Sequence, residues 1–235
     1  MALAVLVALS ACARVDPGEA RPIPGLDSGC DAAMVLLFDV SASMQATDVT
    51  PDRLTAARQA SKSFADRLPK ETRLGLVEFA GTTTELVAPT TDRDIFKAGL
   101  DHLEMNERTG TGAGIFTALS SIRNLPAAGP PARPARIVLL SDGKQTVPES
   151  LDDPRGAYTA AREANRANVH ISSIALGTDH GVVDLPNPGR PSSRVSVSVD
   201  QDSLREISRL TGGSFYAAVS LDELNKAFDD LTCHR

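Results

Sequence analysis

Tryptophan is absent from the 235 residues and aromatic residues make up only 4%, so the core must be built from Val, Leu, Ile and Ala. Long basic runs are missing too, and the formal net charge is −6. That excludes a surface made for nucleic acid or for an anionic membrane, since both repel an acidic protein. No apolar run reaches the ~20 residues needed to span a bilayer, and there is no internal repeat or low-complexity tract. The four histidines (His102, His170, His180 and His234) fall in four different segments, none paired at ligand spacing with a cysteine or a second histidine. They read as surface residues rather than as a zinc or catalytic cluster. What remains, 42% hydrophobic and 23% charged residues, is the balance of a soluble globular protein.

The chain divides into a leader with linker over residues 1–29 and one domain over residues 30–235. Residues 1–11 are almost purely apolar and run into Leu9-Ser10-Ala11-Cys12, a tetrapeptide similar to a bacterial lipobox, in which the cysteine is lipidated. The length suits the apolar core of a secretory signal. No Lys or Arg precedes it, so two readings stay open: the true start lies upstream, or the segment is the end of a longer transmembrane helix. Either reading puts the domain outside the cytoplasm, tethered through Cys12 or a leading helix. Pro17, Gly18, Pro22, Pro24 and Gly25 then break any regular element and read as a linker. The other two cysteines, Cys30 and Cys233, bracket the domain. A disulfide between them would close a loop of about 200 residues, worth on the order of 4–5 kcal/mol, and would restrain the last helix. The alternative is two unrelated thiols.

From Asp31 onward short apolar runs alternate with amphipathic stretches. Residues 33–40 and 135–140 are continuous apolar runs, as expected of strands buried on both faces. Residues 73–80 and 169–176 read as further strands, 84–89 as an antiparallel edge partner and 213–217 as a last short strand. Helical spacing covers 52–68, 92–103, 112–125, 158–168, 202–210 and 221–231. Two β-like stretches, 181–185 and 194–199, flank a Pro/Gly-rich tip over 186–191 and read as an exposed hairpin, its tip an ordered turn. Strands joined by crossover helices predict an α/β fold: a mostly parallel sheet with one antiparallel edge strand and helices on both faces. In such sheets ligands bind beyond the carboxyl ends of the strands, where strand order reverses.

Two buried strands end there in polar residues, Asp39-Val40-Ser41-Ala42-Ser43 and Ser141-Asp142-Gly143. Between them in sequence lies the glycine-rich loop Arg108-Thr109-Gly110-Thr111-Gly112-Ala113-Gly114. The loop lacks the Lys-Ser/Thr pair of a nucleotide P-loop and does not follow a strand. Two carboxylates and several hydroxyls, with no Cys or His, make an all-oxygen set suited to a hard divalent ion such as Mg²⁺, with Mn²⁺ or Ca²⁺ as alternatives. A purely structural account would have Ser41 and Ser43 capping the next helix and Asp142 serving in a turn.

Asp39-x-Ser41-x-Ser43, followed by Met44, resembles the signature of von Willebrand factor A domains, whose metal-ion-dependent adhesion site uses it. Thr109 with Gly112 matches the family's loop threonine, with Thr111 as the fallback, and Asp142-Gly143 matches its late aspartate. The resemblance covers residues 31–231. It extends to bacterial Bat-type proteins and to an actinobacterial group, which segments 46–49, 89–93, 115–119 and 156–162 particularly resemble. Those relatives carry transmembrane helices before and after the domain, whereas this chain starts within or after the equivalent of the last leading helix and stops without a trailing one. The resemblance implies a Rossmann-like fold and a metal site of Asp39, Ser41, Ser43, Thr109 and Asp142. It also implies a protein partner that supplies an acidic side chain to the ion, in the cell envelope and without catalysis. Two other classes compete. A metal-dependent hydrolase would want a second carboxylate two residues after the first, where Ser41 stands, and a general acid–base, for which only Lys144 lies near Asp142 in sequence. A metal-free structural module would leave the complete donor set unexplained.

Overall fold

The computed structural model describes residues 33–125, 134–187 and 190–232. The leader, Cys12, Cys30 and Cys233 lie outside these, as does the expected disulfide.

Six strands form one sheet in the order β3-β2-β1-β4-β5-β8: β1 is Ala33–Asp39, β2 Arg73–Phe79, β3 Thr83–Thr90, β4 Ala135–Ser141, β5 His170–Leu176 and β8 Phe215–Ala218. Every neighbouring pair is parallel except β2 with β3. This is the Rossmann-like arrangement that the alternating pattern predicts. β1 is buried along its whole length, and its pleat sends successive side chains to opposite faces. Met34, Leu36 and Phe38 join one core with α1 (Arg53–Arg67), α2 (Arg93–Asp101) and α6 (Leu221–Leu231). Val35 and Leu37 join the other with α3 (Thr111–Arg123), α4 (Ala157–Arg166) and α5 (Gln201–Thr211). β4 divides in the same way, with Val138 and Leu140 against Ile137 and Leu139. With so few aromatics, one ring contact does much of the helix docking: Phe64 of α1 stacks on Phe228 of α6 at 4.6 Å between centroids.

Local chemistry sets the helix ends. The Asp52 carboxylate accepts from Thr55 N at 2.7 Å to open α1, and Ser220 accepts from Glu223 N at 3.2 Å to open α6. Gly212, at φ 69°, closes α5 in the left-handed conformation.

Three features depart from expectation. A one-turn 3₁₀ helix at Ala42–Gln45 follows β1; a four-residue element is too short for periodicity to reveal. The hairpin strands β6 (Val182–Asn187) and β7 (Arg190–Ser196) run further into the proline-rich tip than the pattern predicts. They form a separate two-stranded ribbon, so among the described residues neither outer edge is paired and proline costs no ladder bond there. His170 is half-buried rather than on the surface, with Nδ1 2.5 Å from the Thr211 carbonyl, because it begins a central strand beside the end of α5. His102 and His180 are exposed as expected, and His234 lies outside the described residues. Among the described residues no helix is long and apolar enough to cross a membrane.

Candidate functional site

β1 and β4 are neighbours, and the chain departs from them toward opposite edges of the sheet. Their carboxyl ends therefore flank the point where strand order reverses. Asp39 is the last residue of β1 and is fully buried. Its Oδ1 accepts from Ser41 N at 2.8 Å and its Oδ2 from the Ser141 hydroxyl at 2.5 Å; Ser141 Oγ in turn accepts from Gly143 N at 2.8 Å. Ser41 sits at the N-cap of the 3₁₀ helix, yet its hydroxyl makes no cap bond. It lies instead 2.9 Å from the Ser43 hydroxyl, so the capping account of these serines fails. Thr109 is 4% exposed and is locked to the loop after β4: its N–H donates to Thr146 Oγ1 at 2.8 Å, and its carbonyl accepts from Thr146 N and Val147 N at 2.8 and 3.1 Å. Ser41, Ser43, Thr109 and Asp142 line one cleft of about 210 Å³, together with Arg108, Lys144 and Val195 to Ser198, at and just past the end of β7; Asp39 is not among the lining residues. Thr111 opens α3 and is not among the lining residues; its buried hydroxyl has no hydrogen-bond partner among the described residues.

The electrostatics of this cleft are unbalanced. Burial first, and then the charge of Asp142, push the Asp39 carboxyl from 3.8 up to about 7. Burial also raises Asp142, against the opposing pull of the Ser43 hydroxyl and the Arg53 guanidinium. Asp142 is 2% exposed, and its Oδ1 is buried with no hydrogen-bond partner among the described residues. Such orphans are rare, because a buried polar atom without a partner keeps its full desolvation cost.

Behind the cleft lies a charge that the sequence pattern alone does not place there. Arg53 is fully buried. It gives Nη1 to Asp142 Oδ2 at 3.1 Å, and Nε and Nη2 to the two Asp48 oxygens at 2.8 and 2.7 Å. Nη2 also reaches the Val197 carbonyl at 3.0 Å and the Thr178 carbonyl at 3.4 Å. Burial raises the Asp48 carboxyl, but hydrogen bonds from Arg53 and Thr178 outweigh it and hold the group below its ordinary value. Gly177, at φ 119°, leaves the room: a Cβ there would stand 2.3 Å from Arg53 Nε. One signal in the sequence could have found it. Positions 53, 57, 60 and 64 form one helical stripe, three of them apolar, and a charge on a core stripe implies an internal partner. Ser141, the donor to Asp39, was equally unassigned.

A profile of the von Willebrand factor type A domain matches residues 34–145. The folded unit has that fold. The chain is 50% identical over 209 residues to the UPF0353 protein of Nocardia farcinica, covering 85% of this chain and 62% of that one; it spans about six tenths of the length of the curated relatives it matches. Among solved structures, an aerotolerance-related membrane protein from Bacteroides fragilis aligns with a TM-score of 0.71 at 22% identity, over 85% of this chain and 97% of that one. Proximal thread matrix protein 1 from the mussel byssus, with a zinc-occupied MIDAS motif, aligns with a TM-score of 0.60 at 18% identity, over 86% and 44%. Both share the fold.

Within the von Willebrand factor A fold, Gly112 has a steric reason to be glycine. The start of α3 presses on the start of α4, where Gln145 Oε1 accepts from both Gly112 N and Ala157 N, at 3.2 and 3.1 Å. A Cβ at Gly112 would lie 2.1 Å from the Arg155 carbonyl oxygen, a backbone atom that cannot swing aside. Gly112→Ala is therefore expected to lose about 1–3 kcal/mol in urea unfolding. An unchanged midpoint would mean that the two helices part without cost.

Proposed function

We propose that the chain is a divalent-metal-dependent protein-binding module of the bacterial cell envelope. Asp39, Ser41, Ser43, Thr109 and Asp142 would hold Mg²⁺, some through water, with one position left for a carboxylate of a protein partner. The observation that carries this reading is the buried, unpartnered Oδ1 of Asp142 beside a second buried carboxylate. Among the described residues the buried Arg53 guanidinium bonds both Asp142 and Asp48, and Asp39 is near enough to Asp142 to feel its charge. Ionising both buried aspartates would leave a negative excess beside the one guanidinium, which a divalent cation neutralises. Among the described residues no three His, Cys, Asp or Glu side chains come together at ion-binding distance. The donor set is thus two carboxylates and hydroxyls, all oxygen, which fits a hard ion rather than a thiolate or imidazole metal. When bound, Mg²⁺ would supply an electrophilic centre for the partner's carboxylate. The chain's own residues supply the rest: Ser141 and Ser41 N–H orient Asp39, Arg53 orients Asp142, and the Thr146 loop holds Thr109.

Binding is favoured over hydrolysis because Ser41 stands where a phosphatase would want its second carboxylate, and no histidine is among the described residues that line the cleft. The mussel protein's zinc-occupied motif supplies a precedent on the same fold. The membrane protein from Bacteroides fragilis supplies one for an envelope setting, with the tether here through Cys12 or a leading helix. Calorimetric titration of the chain with Mg²⁺ and Mn²⁺, alongside thermal shift, tests the reading. A saturable one-ion response in wild type that vanishes in Asp39→Ala is expected. Silence in wild type toward Mg²⁺, Mn²⁺ and Ca²⁺ would overturn it.

A further inference from the structure

We propose that the β6–β7 ribbon is the second wall of the ion cleft, and that the cleft selects a short protein segment carrying, beside the ion-binding acid, one aliphatic residue and a second acid. The inference rests on the metal-dependent reading above and adds what the partner must look like beyond its first carboxylate. The cleft is two-sided. On one side are the candidate ion-binding residues. On the other are Val195, Ser196, Val197 and Ser198.

Large apolar side chains exposed among the described residues are Ile95, Val182, Val195 and Val219. Two of them are on this ribbon, and Val195, 38% exposed, lines the cleft itself. An isolated exposed valine means little; one set in the wall of a concave site beside convergent polar groups is the usual composition of a binding pocket. The wall is also held in place. Val197 N donates to the Gly181 carbonyl at 2.8 Å and the Val197 carbonyl accepts from Arg53 at 3.0 Å, so the same guanidinium grips Asp142 and the ribbon. A preorganised wall loses little freedom on binding.

The charge around the cleft points to the second acid. The chain carries −6 overall, yet among the described residues the buried Asp142 is the one carboxylate that lines the cleft, while Arg108 and Lys144 line it exposed. This local reversal of sign complements an anionic partner. Arg108 moreover holds a left-handed backbone at φ 67°, uncommon for a residue with a side chain and of a kind that gathers at binding sites. A concave cleft of about 210 Å³ with an aliphatic wall fits side chains of a peptide segment rather than the plane of a lipid surface.

The test uses the chain saturated with Mg²⁺ and three blocked tetrapeptides, Gly-Asp-Leu-Glu, Gly-Asp-Gly-Glu and Gly-Asp-Leu-Gln, titrated by heteronuclear NMR. The first should bind about tenfold tighter than each of the others, the scale of one aliphatic or one charged contact. The leucine preference should vanish in Val195→Ser and the glutamate preference in Lys144→Ala; both residues are exposed, so both variants should fold. Equal affinities, no peptide binding by an ion-loaded chain, or preferences that survive both substitutions would overturn the inference. So would tighter binding to phosphatidylglycerol vesicles that is indifferent to Val195. If the Mg²⁺ titration itself is silent, the underlying reading fails, and that result is separately visible.

Discussion

Replacing Arg53 with methionine is expected to cost about 3–5 kcal/mol, the scale seen when one member of a buried ion pair is removed. The cost arises from the charge left behind rather than from packing. Methionine nearly fills the volume, but it strands Asp142 and Asp48, whose side chains are 2% and 10% exposed, and leaves the Val197 carbonyl without this donor. Against a total stability of about 5–15 kcal/mol for a typical domain, that is a large share. Arg53→Lys should fall in between, since an ammonium keeps the charge but cannot serve two carboxylates and the ribbon with a planar fork. Adding Asp48→Asn to Arg53→Met should recover part of the loss, because it removes one stranded charge. Urea unfolding of the four proteins without metal decides the matter. An Arg53→Met protein within about 1 kcal/mol of wild type would mean that the buried carboxylates find another partner, and that Arg53 does not balance their charge.

The same residue marks the boundary of what could be read in the sequence. The sheet and its helices were legible because apolar runs such as 33–40 and helical stripes such as 54, 57, 60, 64 are local signals, each contained in its own element. The convergence of Ser41, Ser43, Thr109 and Asp142 on one cleft, with Asp39 buried at the end of the neighbouring strand, was legible because strand ends in a parallel sheet share an edge by topology. Arg53 and Asp48 were not. Their roles depend on a contact spanning 89 residues, from Arg53 to Asp142, and another spanning 130, from Asp48 to Thr178. No spacing rule encodes such distances. The ribbon was seen as an exposed hairpin, but its place against the cleft is a tertiary fact for the same reason. Ser141 stood beside Asp142 in plain view; its role required knowing that β4 lies beside β1, which puts its hydroxyl against Asp39.

Without metal, the domain is expected to become less stable as pH rises from about 5 to 8, opposite to the usual behaviour of a paired carboxylate. Asp39 titrates near 7 in the folded state, against 3.8 for an ordinary aspartate. Across that interval the folded state binds more protons than the unfolded one, so the free energy of unfolding falls with rising pH. The stabilisation is fully present below the unfolded value of 3.8 and is lost as pH climbs through about 7. A shift of about three units at 1.36 kcal/mol each puts the span at roughly 4 kcal/mol. Asp142, also raised, acts in the same direction. Asp48, held low, acts with the opposite sign and only at the acid end, so the metal-free stability set by these groups should peak at about pH 4, where Asp48 has gained its share and Asp39 begins to lose its own. Saturating Mg²⁺ should flatten or invert the slope, because ion and proton compete for the same buried carboxylate; its stabilising effect would be large at pH 8 and small at pH 5.5. Asp39→Asn should remove the Asp39 share of the slope and the ion response together, since the neutral amide needs neither proton nor metal, and leave only the slope that Asp142 contributes. Unfolding midpoints at pH 5.5 and 8, with chelator and with Mg²⁺, separate the cases. A chelated wild type equally stable at both values would show that Asp39 carries its charge without strain, and the buried pair would then offer an ion no advantage.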